Sequence, residues 1–473
     1  MTAFPNAPFR SLLHEASLAP LARPRCLRKS AMSGMTNDGS RSRLSNHAPV
    51  SSLLTSLLPL ASSRGLPRYA RSASLRERSA PFDFPPEEGW SAGYRLTKHD
   101  AGRDESEVFF HRPLVAASMR IAVVIEDPPP LSGRDGAVRL DRFARQFADR
   151  DHDVTVYCAG WWDDADRRRR RDGVVYEAVT VSPARTSFLA RVPALLARDR
   201  PDAVVVSPSP PEAAVAAATG GTLARAPVVC DWFGDEPGSD RPRRRAAAAR
   251  ASDAVVTPSE LGRTRVRELG VAEADATVLP QSIDYGLVES TPPRTESDRN
   301  EVVYARPLDA DANLGSLLLA LAELRDREDW TVTVVGEGPA RADYETQAAE
   351  LGIGERVEFV GGADREERLA AYRAADAFAQ TAHRERFAEE LLWALAAGCV
   401  GVVEYQAESS AHELLVGHDR GVRVTESEAL DDALLEAWSR PARDVDEQFR
   451  EYDHAAVAGD YVELFRECGV DAR

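Results

Sequence analysis

No lysine occurs after Lys98, so residues 119–473 can place positive charge only on arginine and histidine. That excludes Schiff-base catalysis and the phosphate-gripping lysine of a P-loop. Cys158, Cys230, Cys399 and Cys468 are widely spaced with no Cys-x-x-Cys pair, which fits reduced thiols and offers no zinc site. Arg306 follows a β-rich run, and its planar fork matches two phosphate oxygens, the plainer use being a surface ion pair. Gly136 falls in the loop expected after the first strand, where a glycine lets backbone approach a diphosphate or simply makes a turn. Ser409 or Ser410 can cap a helix and leave its first-turn N–H groups to meet a phosphate. Glu389 and Trp393, four apart, share nearly one face of a predicted helix. Two arginine runs, 167–171 and 241–245, read either as solvated loops or as a face for an anionic acceptor or membrane.

The elements that must position these residues alternate. IAVVI (121–125), DVTVYCA (153–159), PDAVVVS (201–207), APVVCDW (226–232), SDAVVTPS (252–259) and ATVLPQSID (276–284) are strand-like. Stretches at helical spacing, such as 136–150 and 212–224, lie between them. VESTPPRTESDRNE (288–301) reads as a linker. A second alternation follows, with EVVYARP (301–307), WTVTVVGEGP (330–339) and RVEFVGG (356–362) as strands between helical segments. The fold class is therefore α/β, two Rossmann-like doubly wound domains facing a cleft. The boundaries expected are 1–118 leader, 119–285 first domain, 286–300 linker and 301–440 second domain. A C-terminal helix within 441–473 is expected to pack back towards the first domain.

Charge divides the chain in the same place. Residues 1–118 hold 16 Lys+Arg and 10 Asp+Glu, whereas 119–473 hold 43 and 66, a net of −23. Such an acidic body argues against nucleic-acid binding. It suits a salt-rich cytoplasm, so a halophilic source is expected. The leader is Ser- and Arg-rich with no apolar period, and reads as unstructured. It fits a transit peptide or an over-extended start, and the composition break at Met119 favours the latter. The longest apolar stretch, 51–62, is too short for a spanning helix, so a cytoplasmic protein is expected, with the arginine runs allowing peripheral contact at the inner membrane surface.

Four segments carry a resemblance to a known family. They are MRIAVVIEDPPPLSGRDGAVRLDRFARQFADRDHDVTVY, SDAVVTPSELGRTRVRELGVAEADATVLPQSID, VTVVGEGPARADYETQAAELGIGERVEFVGGADREERLAAYRAADAFAQTA and RERFAEELLWALAAGCVGVVEYQAESSAHELL. Together they resemble a family 4 glycosyltransferase of the GT-B fold, from Met119 almost to the C-terminus. The resemblance implies transfer of a sugar from a nucleotide-sugar to an acceptor hydroxyl or phosphate, retaining and metal-independent, with no cofactor. A glycan or polyprenyl phosphate would be the acceptor.

Residue by residue, the resemblance gives Arg306 the donor diphosphate and Glu385 the donor sugar, and sets Phe387 beside them at the nucleotide. Two family features are missing. DADANLGS (309–316) lacks the usual partner lysine, and Trp393 stands where the ribose-binding second glutamate belongs. Glu389 is the nearest substitute, and Trp393 either packs in the core or stacks on the nucleotide. ESSAHELL (408–415) resembles the family's Gly-Gly loop and the glutamate after it, which would be Glu413. None of His152, His383, His412, His418 and His454 matches the family's N-domain histidine. These departures leave a second reading open, a catalytically reduced nucleotide-sugar-binding or scaffold protein. A sugar-nucleotide epimerase is a third, less favoured because the fourth segment resembles transferases more.

Overall fold

A computed structural model describes residues 118–163, 166–181, 184–234, 242–294 and 300–470. The expected leader lies outside them except for Ser118, as do Arg241 of the second arginine run and 295–299 of the expected linker. The first half is an eight-stranded sheet built from β1 (Arg120–Val124), β2 (Asp153–Ala159), β3 (Arg168–Arg171), β4 (Val174–Thr180), β5 (Ala203–Val206), β6 (Val228–Asp231), β7 (Ala254–Thr257) and β8 (Ala276–Val278). Its order is β3-β4-β2-β1-β5-β6-β7-β8, parallel throughout except for β3 against β4. The Val-rich strands β5 and β7 are buried along their whole length, as a parallel sheet covered by helices on both faces requires.

The second half is a six-stranded parallel sheet, from β9 (Asn300–Ala305), β10 (Trp330–Val335), β11 (Val357–Val360), β12 (Ala377–Gln380), β14 (Val400–Glu404) and β16 (Gly421–Val424). Two short strands, β13 (Arg384–Glu385) and β15 (Glu408–Ser409), pair apart from it. The sheet runs β11-β10-β9-β12-β14-β16, the 3-2-1-4-5-6 order of a Rossmann sheet, whose ligand crevice opens at the switch between the first and fourth strands. Here that switch lies between β9 and β12. Arg306 follows one and Glu385 lies just beyond the other.

The chain crosses between the halves twice, side by side. Ile283 and Asp453 form a parallel bridge, with Ile283 N–H donating to Tyr452 O at 2.9 Å and His454 N–H to Ile283 O at 2.9 Å. After the second crossing the helix His454–Glu467 packs into the core of the first sheet through Val457, Tyr461 and Phe465.

Three sequence readings are corrected. The expected linker opens as a helix, Tyr285–Ser290, capped by the Asp284 carboxylate, and it buries Tyr285 and Val288 in the second half's core. The run 167–171 is not a loop: Arg168–Arg171 is an exposed edge strand, turned into β4 by Asp172 and Gly173 at φ 48° and 75°. Positive φ at both positions of a two-residue turn is the hairpin geometry that Asp-Gly favours. The second arginine run is not a loop either, since Pro242–Arg245 opens the helix Pro242–Ala249. Among the described residues no helix is long and apolar enough to cross a membrane.

Candidate functional site

Arg306 is held by two glycines that follow β10. An added Cβ at Gly336 would overlap the carbonyl oxygen of Arg306, and one at Gly338 that of Leu308. The Gly-Glu-Gly turn therefore lies directly against the loop after β9, with Leu308 N–H donating to Glu337 O at 2.9 Å and Ala340 N–H to Leu308 O at 3.0 Å. Only a residue without a side chain allows that approach. The Arg306 side chain, 9% exposed, lies 3.6 Å from a Glu385 carboxylate oxygen and 3.4 Å from Asp309.

Glu385 comes from β13, whose partner β15 places Ser409 opposite it. Burial raises its carboxyl pKa to about 7, against the pull of Arg306 and with a further push from Asp135. At neutral pH the group is divided between its acid and its ionised form, an uncommon state for a glutamate and one typical of functional clefts.

Between the halves lies a cavity of about 530 Å³, a size that admits a small-molecule ligand. The first half contributes Arg142 and Phe233, and the second Arg306, Gln380, Glu385, Phe387, Glu389 and Glu390. The start of the helix Glu389–Ala396 opens onto this space from an alanine N-cap. Its positive dipole end and first-turn N–H groups favour an anion there.

Arg365 and Arg368 also line the cavity, and neither was singled out from the sequence. Both donate to Glu390, at 2.9 and 3.0 Å, and Tyr372 OH donates to the same carboxylate at 2.7 Å. Their signal was present in ADREER: arginines in the first turn after a strand and a glycine pair face the carboxyl ends of the sheet.

The predicted site residues divide into two groups. Arg306, Glu385, Phe387 and Glu389 meet in the cavity. Glu389 accepts from Gln281 at 3.0 Å and lies 3.4 Å from Arg142, so it also joins the two halves. Gly136 is not in a loop, because the helix Asp135–Ala148 starts one residue before it and buries it. Trp393 does not line the cavity. It is 4% exposed within the second half's core, with the Arg365 guanidinium 4.6 Å above its ring.

Ser410 does not offer a free helix end to a phosphate. Its hydroxyl donates to Arg386 O at 2.7 Å, and the turn after it is a five-residue 3-10 helix. Ser409 is buried in β15. Glu413 faces away from the cavity and caps a helix of the other half, accepting from Glu260 N–H at 2.7 Å and Leu261 N–H at 2.8 Å. Among the described residues no group of three or more His, Cys, Asp or Glu side chains is placed to hold a metal ion.

Residues 136–286 match Glycosyltransferase Family 4 and residues 289–454 match Glycosyl transferases group 1. The chain is 28% identical over 165 residues to a 2-deoxystreptamine glucosyltransferase of Streptomyces kanamyceticus, covering 32% of this chain and 42% of that protein. It is 28% identical over 280 residues to a GDP-mannose-dependent alpha-(1-6)-phosphatidylinositol monomannoside mannosyltransferase of Mycolicibacterium smegmatis, covering 54% of this chain and 71% of that one. Among solved structures, a glycosyltransferase from Rickettsia africae superposes with a TM-score of 0.60 at 12% identity, covering 74% of this chain and 98% of the other. Anabaena HepE in complex with UDP does so at 0.53 and 18%, covering 74% and 97%. The chain is thus a GT-B-fold protein of the glycosyltransferase class, its first half of the Family 4 type and its second half of the group 1 type.

Proposed function

We propose that this protein transfers a hexosyl group from a nucleotide-sugar to an acceptor hydroxyl or phosphate, with retention and without a metal. The observation that carries the reading is the meeting of Arg306, Glu385 and the start of the helix Glu389–Ala396 at the switch point of the second sheet. The bond from the sugar's anomeric carbon to the diphosphate oxygen breaks, the acceptor oxygen bonds to that carbon, the acceptor's proton passes to the departing phosphate, and the nucleoside diphosphate leaves as an anion. An arginine fork and helix N–H groups stabilise that charge most as it develops, so they lower the barrier rather than merely hold the donor. Glu385 supplies a carboxyl beside the sugar.

The acceptor is a glycan or glycolipid headgroup, polyprenyl phosphate included. That assignment is supported by relatives named for 2-deoxystreptamine and for phosphatidylinositol monomannoside. The test is a panel of nucleotide-sugars with simple sugars and a polyprenyl phosphate as acceptors, scored for nucleotide release and for product. R306A should lower transfer by about 10²- to 10³-fold while the thermal midpoint hardly moves.

The buried Trp393 and the absent lysine favour a second reading, a nucleotide-sugar-binding protein with reduced catalysis. Tight calorimetric binding with no turnover across the panel, at low and high salt, would select it over the transferase.

A further inference from the structure

A leaving diphosphate carries more than one negative charge, and no lysine is available to serve beside Arg306. Among the residues lining the cavity there are four guanidinium groups, those of Arg142, Arg306, Arg365 and Arg368. They are not equally free. Arg365 and Arg368 share Glu390 through bonds of 2.9 and 3.0 Å within their own half, and Arg365 also lies on the Trp393 ring. Arg142 is held differently. It projects from the helix Asp135–Ala148 of the first half, donates to Ser282 O at 2.9 Å, and reaches Glu389 only at 3.4 Å. A close charged hydrogen bond spans about 2.7–2.9 Å, so the second contact is a loose one.

We infer that Arg142 is the second cation of the donor site, a guanidinium supplied by the first half that closes on the diphosphate from the side opposite Arg306. The inference rests on the nucleotide-sugar reading above. On binding, Arg142 exchanges its long contact with Glu389 for phosphate oxygens, which carry more charge and accept in the fork geometry that guanidinium prefers. Glu389 keeps Gln281 at 3.0 Å and the Arg365 guanidinium at 3.5 Å, so its charge stays paired when Arg142 leaves. Because Arg142 and Arg306 belong to different halves, the bound diphosphate links the halves through its own charge. A cation so placed also explains how a chain lacking the family lysine keeps a working donor site.

The test uses the full chain and calorimetry with UDP, GDP and ADP and the matching monophosphates. R142Q keeps an N–H donor for Ser282 O and removes the charge. It should weaken the preferred diphosphate about 10- to 50-fold, at the scale of a charged hydrogen bond. The monophosphate should change by no more than about 2- to 3-fold, about 0.4–0.7 kcal/mol. R142K should recover part of the loss. The slope of log affinity against log salt for the diphosphate should be shallower in R142Q than in wild type. An equal loss for both nucleotides, or a lower melting temperature with unchanged affinities, would overturn the role of Arg142 and leave the nucleotide-sugar reading standing. Failure of wild type to bind any of the three diphosphates would overturn both. Should R142Q fail to fold, R142K decides, since a retained diphosphate salt slope with any loss of affinity confined to the diphosphate supports a charge role, and a loss shared by both nucleotides refutes it.

Discussion

At the scale of single residues, Glu385 shows how burial sets a chemical state. Its carboxyl titrates near 4.5 when solvated and about 7 in the fold, chiefly because burial disfavours the ionised form. The folded state therefore binds the proton more tightly than the unfolded chain does. The stabilisation is complete below about pH 4.5 and disappears as pH rises through 7. E385Q has no such proton to lose. Between pH 5 and 8, wild type should lose about 1–3 kcal/mol relative to E385Q. The upper end follows from about 1.4 kcal/mol for each tenfold difference in proton affinity, and the lower allows for partial solvent access. Denaturant melts of both proteins at several pH values measure this, and parallel curves would refute it. Trp393 gives the opposite lesson. Its helical position was legible and core packing was one of the two readings, but the choice was not, because Arg365, which covers the ring, arrives from another helix.

At the scale of elements, one buried network fastens the C-terminal helix to the first half. Arg139, fully buried, makes a 3.0 Å ion pair with Asp231 and donates to Leu279 O at 2.7 Å, Pro280 O at 2.7 Å and Tyr461 OH at 2.9 Å. The Tyr461 hydroxyl donates in turn to Asp231. With Gln281 Oε1 accepting at 3.2 Å, all five N–H groups of the fork are engaged, beside the crossing between halves. Removing one member of a buried pair strands the other charge, so R139M should destabilise the protein by about 3–5 kcal/mol. Y461F removes two hydrogen bonds, one accepted from Arg139 and one donated to Asp231, but leaves the ion pair, and should cost about 1–3 kcal/mol. Chemical denaturation decides, and equal effects would show that packing, not charge, dominates. Elsewhere the arginines of β3 occupy a sheet edge, where charge discourages pairing with another chain. The Asp-Gly between two strand-like runs was the available signal for that hairpin.

At the scale of the whole molecule, contacts away from the cavity also join the halves. Glu413 caps the helix Glu260–Glu268, Arg265 pairs with Glu408 at 2.6 Å, and Arg386 donates to Gly234 O at 2.6 Å. These form within a body whose net charge is −23 over residues 119–473. Self-repulsion at that charge weakens as the Debye length shrinks from about 10 Å at 0.1 M to 3 Å at 1 M. The thermal midpoint should therefore rise by several degrees as KCl increases from about 0.1 to 2 M, and a flat or falling midpoint in scanning calorimetry would contradict this. What the sequence determined by itself was the alternation of strands and helices, the two-half architecture and the placing of Arg306 after a strand, since periodicity and composition act over short stretches of chain. Tertiary structure alone decided which side chains share the cavity: it brought Arg142, Arg365 and Arg368 to Arg306 and Glu385, and turned Glu413 to the other half. The physical reason is that strand order, not chain order, sets which loops meet at a switch point, and each carboxylate then pairs with the donor that folding brings nearest.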